Sequence, residues 1–300
     1  IEKLFTTKET RNTIAPKLFY ILKTAIFFRS NIPKEIYCFY PDMLLAAIII
    51  KIFRPSTQIF YEIQDLNNVN LFFRAFHSFL MLFVKKIFIT APLFINEYMF
   101  FTKKLESKTV FIGNAPYRKI WEKHLGEKIK NKILTVGFIG MLRDKQHLDD
   151  IEMILERTPF EVLQAGACTY PDKLNLLKQK YPKKLKVFGA YNPIDLYKNL
   201  YPKIDIIWSS YPNNRNYNLH ISRRFTEALA LNRAVVVAKH AKGMNLAAMQ
   251  KKYDYILSPD VILNLSKNEI SNLMRLEYKW QEGEFCFDKK YDLFIKELSS

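Results

Sequence analysis

The chain is poor in the residues that build disulfide scaffolds, metal sites and glycine-rich turns: its 300 residues include 3 cysteines, 8 glycines and 3 tryptophans. Cys38, Cys168 and Cys286 stand far apart, with no CxxC pair and no histidine at ligand spacing. Neither a disulfide framework nor a zinc site is therefore indicated, and a reducing cytoplasm is the default setting. Bilayer-spanning apolar runs are also absent. Leu44–Phe53 is too short, and Leu71–Ile89 is broken by Arg74, His77, Lys85 and Lys86. No signal peptide is visible. Negative charge is scarce, with 29 acidic residues against 46 basic ones and a formal net charge of +17. That balance draws anionic partners, whether nucleic acid, an acidic membrane face or phosphate-bearing metabolites. The cations are mostly scattered lysines without a recognition-helix or RNA-binding signature, so nucleic acid is not the expected partner and biased base composition accounts for much of the excess.

What is present is the material of a globular protein. The chain is 49% hydrophobic and 25% charged, long enough for two moderate domains. It opens on IEKLFTTKET, without an initiator methionine and in mid-element, which points to a true beginning further upstream.

The second half alternates most clearly. Apolar runs at Ile133–Ile139, Phe160–Gln164, Leu185–Phe188, Ile204–Trp208, Ala234–Ala238 and Tyr255–Leu257 read as strands. Helical patterns separate them at Leu148–Arg157, Pro171–Tyr181, Ile194–Leu200, Ser222–Leu231 and Asn245–Lys252. Strands without polar alternation, each followed by a helix, predict a parallel sheet covered on both faces. The first half repeats the pattern in shorter form, with strands at Glu35–Tyr40, Gln58–Ile63, Lys86–Thr90 and Thr109–Ile112 and helices at Ile14–Phe28, Asp42–Phe53, Leu71–Phe83 and Leu93–Phe101. The expected class is α/β with two Rossmann-like domains, the first incomplete at its amino terminus. Residues 1–115 form that partial domain, 116–131 a connection, 132–280 the second domain and 281–300 a helical tail through Lys289–Leu298.

The chemistry is expected at the carboxyl ends of the second domain's strands. In VGFIGMLRDKQHLDD, Gly137 and Gly140 permit close backbone approach, and Arg143 and Lys145 follow on a loop that opens a helix. On the same sheet edge, Ser222, Arg223 and Arg224 begin the helix SRRFTEALAL, where free N–H groups and the helix dipole favour a phosphate. Glu227 lies one turn on in an apolar stretch, and a carboxylate desolvated there needs a partner. A ribose diol fits, and an ion pair with a neighbouring arginine is the plain alternative. His220 flanks this region as a candidate donor-sugar contact, with simple solvent exposure as the alternative; His77 reads as packing or interface.

The ordered segments VGFIGMLRDK, FEVLQAGA, LKVFGAYNPIDLYKNLYPKIDIIWSS and SRRFTEALALNRAVVVA resemble the nucleotide-sugar-binding domain of family-4-type glycosyltransferases of the GT-B fold. FYEIQDL and VFIGNAPYR are similar to signposts of the acceptor domain. The resemblance implies transfer of a glycosyl unit from a nucleoside diphosphate sugar to a saccharide or lipid-linked acceptor, with retained anomeric configuration, no metal and no cofactor, both domains closing over the donor. It implies that Arg143 and Lys145 neutralise the leaving diphosphate, that the loop at Gly140 and the Ser222–Arg224 backbone approach phosphate, and that Glu227 holds the ribose. HISRRFTEAL is similar to a subgroup concerned with capsule or surface polysaccharide.

The sequence also departs from the family. Where many relatives carry an earlier glutamate, it has Leu219; a family histidine is replaced by Gln64, with Asp65 retained; and Asn232 stands in place of the glycine that ends the helix, a role Asn also serves. Three further readings therefore stand beside the transferase: a GT-B-fold nucleotide-sugar epimerase, a degenerate nucleotide-binding non-enzyme, and a nucleic-acid binder prompted by charge alone. The stretch LFFRAFHSFLMLFVKKIF mixes bulky apolar and cationic residues and, with Lys17–Arg29, would suit the inner face of an anionic membrane, although core packing explains most of its aromatics more simply.

Overall fold

A computed structural model describes residues 14–28, 32–66, 70–98, 102–114, 123–277 and 296–297. The chain divides into two compact units, Ile1–Phe111 with Lys296–Ser300, and Ile112–Ile295. The expected carboxy-terminal helix Lys289–Leu298 lies outside the described residues except at 296–297, and Cys286 and residues 115–122 lie wholly outside them.

In the first unit, α1 (Ile14–Phe27) precedes β1 (Glu35–Cys38), α2 (Pro41–Phe53), β2 (Gln58–Ile63), α3 (Leu71–Met81) and β3 (Lys86–Ile89). A 3₁₀ turn at Pro92–Glu97, α4 (Thr102–Glu106) and β4 (Thr109–Phe111) complete it. The helix expected at Leu93–Phe101 is thus a 3₁₀ turn, set by Pro92 at its start. The strands pair in parallel in the order β1-β2-β3-β4. Successive right-handed crossovers in one direction leave α2 and α3 on one face of that sheet.

The second unit is doubly wound. Its strands are β5 (Thr135–Ile139), β6 (Glu161–Ala165), β7 (Leu185–Phe188), β8 (Ile206–Trp208), β9 (Ala234–Val236) and β10 (Ile256–Leu257), in the parallel order β10-β9-β8-β5-β6-β7. The order reverses at β5, so α5 (Lys145–Arg157) and α6 (Pro171–Lys180) cover one face and the helices between β8 and β10 cover the other. Those helices are α8 (Arg215–Leu219), α9 (Arg223–Ala230) and α10 (Lys242–Gln250); α11 (Pro259–Ile262) and α12 (Lys267–Arg275) follow β10 and place Ile262 and Leu273 in the core on the α5 side, and α7 (Pro193–Asp195) opens the segment before β8. Val136, Phe138, Val162, Ile206, Trp208 and Val236 fill the core between the layers with Leu148, Ile151 and Leu155 of α5. Phe138 stacks on Trp208 at 5.1 Å, and Gly137 is required because a Cβ there would lie 2.6 Å from Ile204 Cδ1.

Candidate functional site

Because β5 is flanked by β8 on one side and β6 on the other, the loops after β5 and β8 leave the same edge on opposite sides of a topological switch point, the place where open α/β sheets bind ligands. Gly140 turns the chain there with φ 92°. Its N–H donates to the Ala165 carbonyl at 2.8 Å, and the Leu142 N–H donates to that of Ala167 at 2.9 Å. Gly166, at φ 119°, closes against it so tightly that a Cβ would sit 2.4 Å from the Gly140 oxygen.

Arg224 reaches this turn from the start of α9. Its Nη2 donates to the Met141 carbonyl at 3.2 Å and lies 2.9 Å from where a Cβ on Gly140 would be. The guanidinium carbon stands 5.6 Å over the Tyr211 ring, while Nη1 is buried without a protein acceptor among the described residues. Tyr211, in the loop after β8, is the hub of an aromatic cluster, with Tyr217 at 4.9 Å, His220 at 5.3 Å and His147 at 5.5 Å. Burial, reinforced by the Arg224 charge, pushes the His147 pKa down to about 4. The Tyr217 hydroxyl donates to Asp144 Oδ2 at 3.1 Å, which ties this cluster to the β5 loop; burial and then Asp144 push that hydroxyl up to about 12.

The two helix starts at this edge differ. At α9, Ser222 is buried and spends its hydroxyl on the structure, accepting from the Phe225 N–H at 3.0 Å and meeting Ser209 Oγ at 2.5 Å. At α5, Asp144 holds the N-cap position but its side chain makes no cap bond, being engaged with Tyr217. Arg143 and Lys145 flank that start, exposed and without a hydrogen-bond or ion-pair partner among the described residues. The less encumbered helix start is therefore that of α5.

Glu227 is 2% exposed and surrounded by donors. Oε1 accepts from Arg223 Nε at 2.8 Å and from the Tyr197 hydroxyl at 2.9 Å; Oε2 accepts from the Tyr201 hydroxyl. Arg223 Nη2 also donates to the Tyr197 oxygen at 3.1 Å. A π-helical turn, Leu196–Leu200, followed by a 3₁₀ turn, Tyr201–Lys203, brings both hydroxyls to one carboxylate, with the rings stacked at 5.6 Å. Burial, and next the Glu227 charge, raise both tyrosines well above their ordinary pKa. Arg223 thus faces Glu227, whereas Arg224 faces the β5 turn. Asn232 takes φ 52° just beyond α9, the left-handed conformation its place at the helix end calls for.

No family model and no curated protein matches the sequence. Solved structures do match the fold. HepE from Anabaena, in complex with UDP, aligns with a TM-score of 0.63 at 14% identity over 93% of this chain and 81% of that one. A glycosyltransferase from Rickettsia africae aligns at 0.59 and 13% identity over 99% and 85%. A UDP-GlcNAc 2-epimerase from Neisseria meningitidis, bound to UDP-GlcNAc, aligns at 0.58 and 11% identity over 94% and 81%.

The fold is GT-B.

Within this GT-B chain, the structure brings Gly140, Arg224 and the His220 cluster together, sets Arg143 and Lys145 at the next helix start, and places Arg223 with Glu227 in a cluster of their own. Tyr197, Tyr201, Tyr211 and Tyr217 are the contributors that motif reading missed; their signal was the tyrosine recurrence in DLYKNLYPK and SSYPNNRNY. Leu219 ends α8, its carbonyl packed where a Cβ on Gly243 would be 2.3 Å away. In the first unit, Gln64 Nε2 donates at 2.8 Å to Glu62, a buried carboxylate that also accepts from the Tyr37 hydroxyl. Among the described residues no group of three His, Cys, Asp or Glu could hold a metal ion, and no helix is long and apolar enough to cross a membrane.

Proposed function

We propose that the second unit binds a nucleoside diphosphate sugar and that the protein transfers its glycosyl group to a saccharide or lipid-linked acceptor in the assembly of a cell-surface polysaccharide, with retention of configuration and without a metal. The observation that carries this reading is the cationic edge at the switch point. Arg224 lies across the Gly140 turn with an unfilled donor, and the unpaired Arg143 and Lys145 stand at an α5 start that no side chain caps. A diphosphate there meets backbone N–H groups, a helix dipole and guanidinium charge together. As the bond from the anomeric carbon to the phosphate oxygen breaks and the acceptor oxygen replaces it, negative charge grows on the leaving diphosphate, and fixed cations stabilise that change. Glu227 takes the ribose by accepting from its hydroxyls in place of Arg223, the partner of that cluster that reaches solvent. The UDP and UDP-GlcNAc named for HepE and the Neisseria epimerase make uridine diphosphates the first ligands to try.

Calorimetric titration of the chain with UDP, GDP and their sugars tests the binding step. Saturable binding of one nucleoside diphosphate that Arg143→Ala weakens supports the reading, and binding of none removes it. The second reading, an epimerase, is favoured by an epimerase neighbour whose TM-score of 0.58 nearly equals the 0.59 of the Rickettsia transferase. Product analysis separates the two: a sugar nucleotide isomerised without acceptor is epimerisation, and release of nucleoside diphosphate that depends on an added acceptor is transfer.

A further inference from the structure

The turns that bring Tyr197 and Tyr201 to Glu227 are themselves held by the connection. The Gly126 N–H donates to the Tyr197 carbonyl at 3.2 Å, the Ile129 N–H to the Pro202 carbonyl at 2.9 Å, and Asn131 Nδ2 to the Lys203 carbonyl at 2.9 Å. Lys128 Nζ and Asn131 Nδ2 also reach the buried Asp205, at 3.4 and 2.9 Å, which anchors the same run of chain beside the start of β8. Just ahead of the connection, the Asn114 carbonyl accepts at 2.6 Å from the hydroxyl of Thr226, the neighbour of Glu227 on α9. A π-helical turn is a local departure from the α pattern, so contacts from outside it decide where it falls. The Tyr201 N–H donates five residues back, to Leu196, and Pro202 has no N–H with which to continue that series to Tyr197. Gly126 meets the Tyr197 carbonyl at a separation that only glycine allows. A Cβ at 126 would lie 2.4 Å from the Lys198 carbonyl oxygen and 3.0 Å from Pro202 Cγ. The nearer of these atoms is backbone inside the π turn, so a side chain at 126 forces the connection and the turn apart.

We propose that Gly126 is a positioning residue for nucleoside binding: its contact with the π turn fixes where the Tyr197 and Tyr201 hydroxyls stand, and through them the direction in which the Glu227 carboxylate faces a ribose. Tyr197 donates to Oε1 and Tyr201 to Oε2, so the pair sets the carboxylate plane. Both stay in place when a ribose diol takes the position of Arg223, the third donor. A turn displaced at Lys198 carries both hydroxyls with it and leaves the carboxylate misaimed, while the diphosphate groups at the β5 edge keep their places. The inference rests on the nucleotide reading and adds to it a residue that neither motif nor charge singles out.

Gly126→Ala tests it in two ways. Calorimetry is expected to show UDP affinity reduced about tenfold with the affinity for inorganic pyrophosphate unchanged, because pyrophosphate has no ribose to place. Urea unfolding without ligand, followed by tryptophan fluorescence, is expected to give a Gly126→Ala/Tyr201→Phe double variant whose midpoint falls by less than the sum of the two single losses, since both changes act on one hydroxyl–carboxylate bond. Hydrogen exchange on the parent serves if the variant misfolds: at equal saturation, the Gly126 and Ile129 amides are expected to exchange more slowly with UDP than with pyrophosphate. Additive urea losses overturn the proposal, as do equal losses of UDP and pyrophosphate affinity, an undiminished UDP affinity in the variant, or equal protection of the two amides by both ligands. A parent that does not bind UDP fails the nucleotide reading and ends the ribose role with it, an outcome separable from the others because those are read against a parent that binds.

Discussion

Tyr201→Phe isolates the bond that matters most to the Glu227 cluster. Phenylalanine keeps the ring and its stacking on Tyr197 and removes the hydroxyl that donates to Oε2. That oxygen belongs to a carboxylate that is 2% exposed, so bulk solvent compensates little for a lost donor. A buried acceptor left without its donor costs about 1–3 kcal/mol, and a charged acceptor puts the cost toward the upper end, about 2–3 kcal/mol. For a unit of this size that lowers Tm by roughly 4–12 °C. Arg223→Ala removes an ion pair to the other oxygen, but the Arg223 side chain is 52% exposed and Tyr197 continues to donate to that oxygen. Solvent screening limits its contribution to about 0.5–1 kcal/mol. The neutral change is therefore expected to cost several-fold more than the loss of a full charge. All three tryptophans, Trp121, Trp208 and Trp280, fall within the second unit, so urea unfolding followed by tryptophan fluorescence reports that unit directly. A Tyr201→Phe protein within about 0.5 kcal/mol of the parent refutes the burial argument. If Arg223→Ala proves the costlier change, the screening argument fails instead.

Arg143→Ala and Lys145→Ala are each expected to weaken UDP binding about tenfold, the equivalent of about 1.4 kcal/mol, without shifting the melt of the empty protein; calorimetry showing unchanged affinity in both would count against the α5 start as the diphosphate site. Gly140→Ala forces a Cβ onto a residue at φ 92° and pushes Arg224 off the Met141 carbonyl, so a loss of about 1–3 kcal/mol in urea unfolding is expected, and a neutral outcome would contradict the strain. Burial lifts the Asp150 pKa to about 6 against bonds from Gln146 and Trp208 that lower it, so the stability its protonated form contributes is complete below about pH 4 and disappears as pH rises through 6. Asp150→Asn is thus expected to exceed the parent in stability by about 2–3 kcal/mol near pH 7.5 and to match it near pH 4, as read by urea titration at both pH values; the His147 limb, which runs the opposite way between 6.5 and 4, is common to both proteins and cancels.

The strands of the second unit are legible in sequence because a parallel sheet buries both of its faces and leaves continuous apolar runs such as Thr135–Ile139. The helix Arg215–Leu219 is not legible, since RNYNL has no apolar period and its cap, Asn214, is lost among polar neighbours. Burial physics signals that Glu227 needs a partner, and the arginine ion pair read as the plain alternative is formed with Arg223; the Tyr197 and Tyr201 hydroxyls beside it come from a π-helical and a 3₁₀ turn whose register no periodicity encodes. Arg223 and Arg224 read as an equivalent pair in sequence. One turns toward Glu227 along its own helix and the other crosses to the β5 loop, because neighbouring helical residues point about 100° apart. On α3, periodicity identifies phenylalanines at helical spacing but not which of its two apolar faces the sheet occupies.

How each cation is engaged, more than how many there are, decides where an anion can bind. Arg223 is committed to a buried carboxylate, so a diphosphate can recruit it only if something else satisfies Glu227, and a ribose diol is the part of a nucleotide able to do that. Arg224 is held partway, with one nitrogen on Met141 and another unfilled. Arg143 and Lys145 are held by nothing among the described residues. A free phosphate can therefore use the last three but leaves Arg223 where it is, whereas a nucleoside diphosphate offers both halves of the exchange. Selectivity for nucleoside diphosphate over inorganic pyrophosphate follows from that coupling, and Glu227→Gln, which weakens the hold on Arg223 and on the ribose together, should narrow the gap between the two ligands.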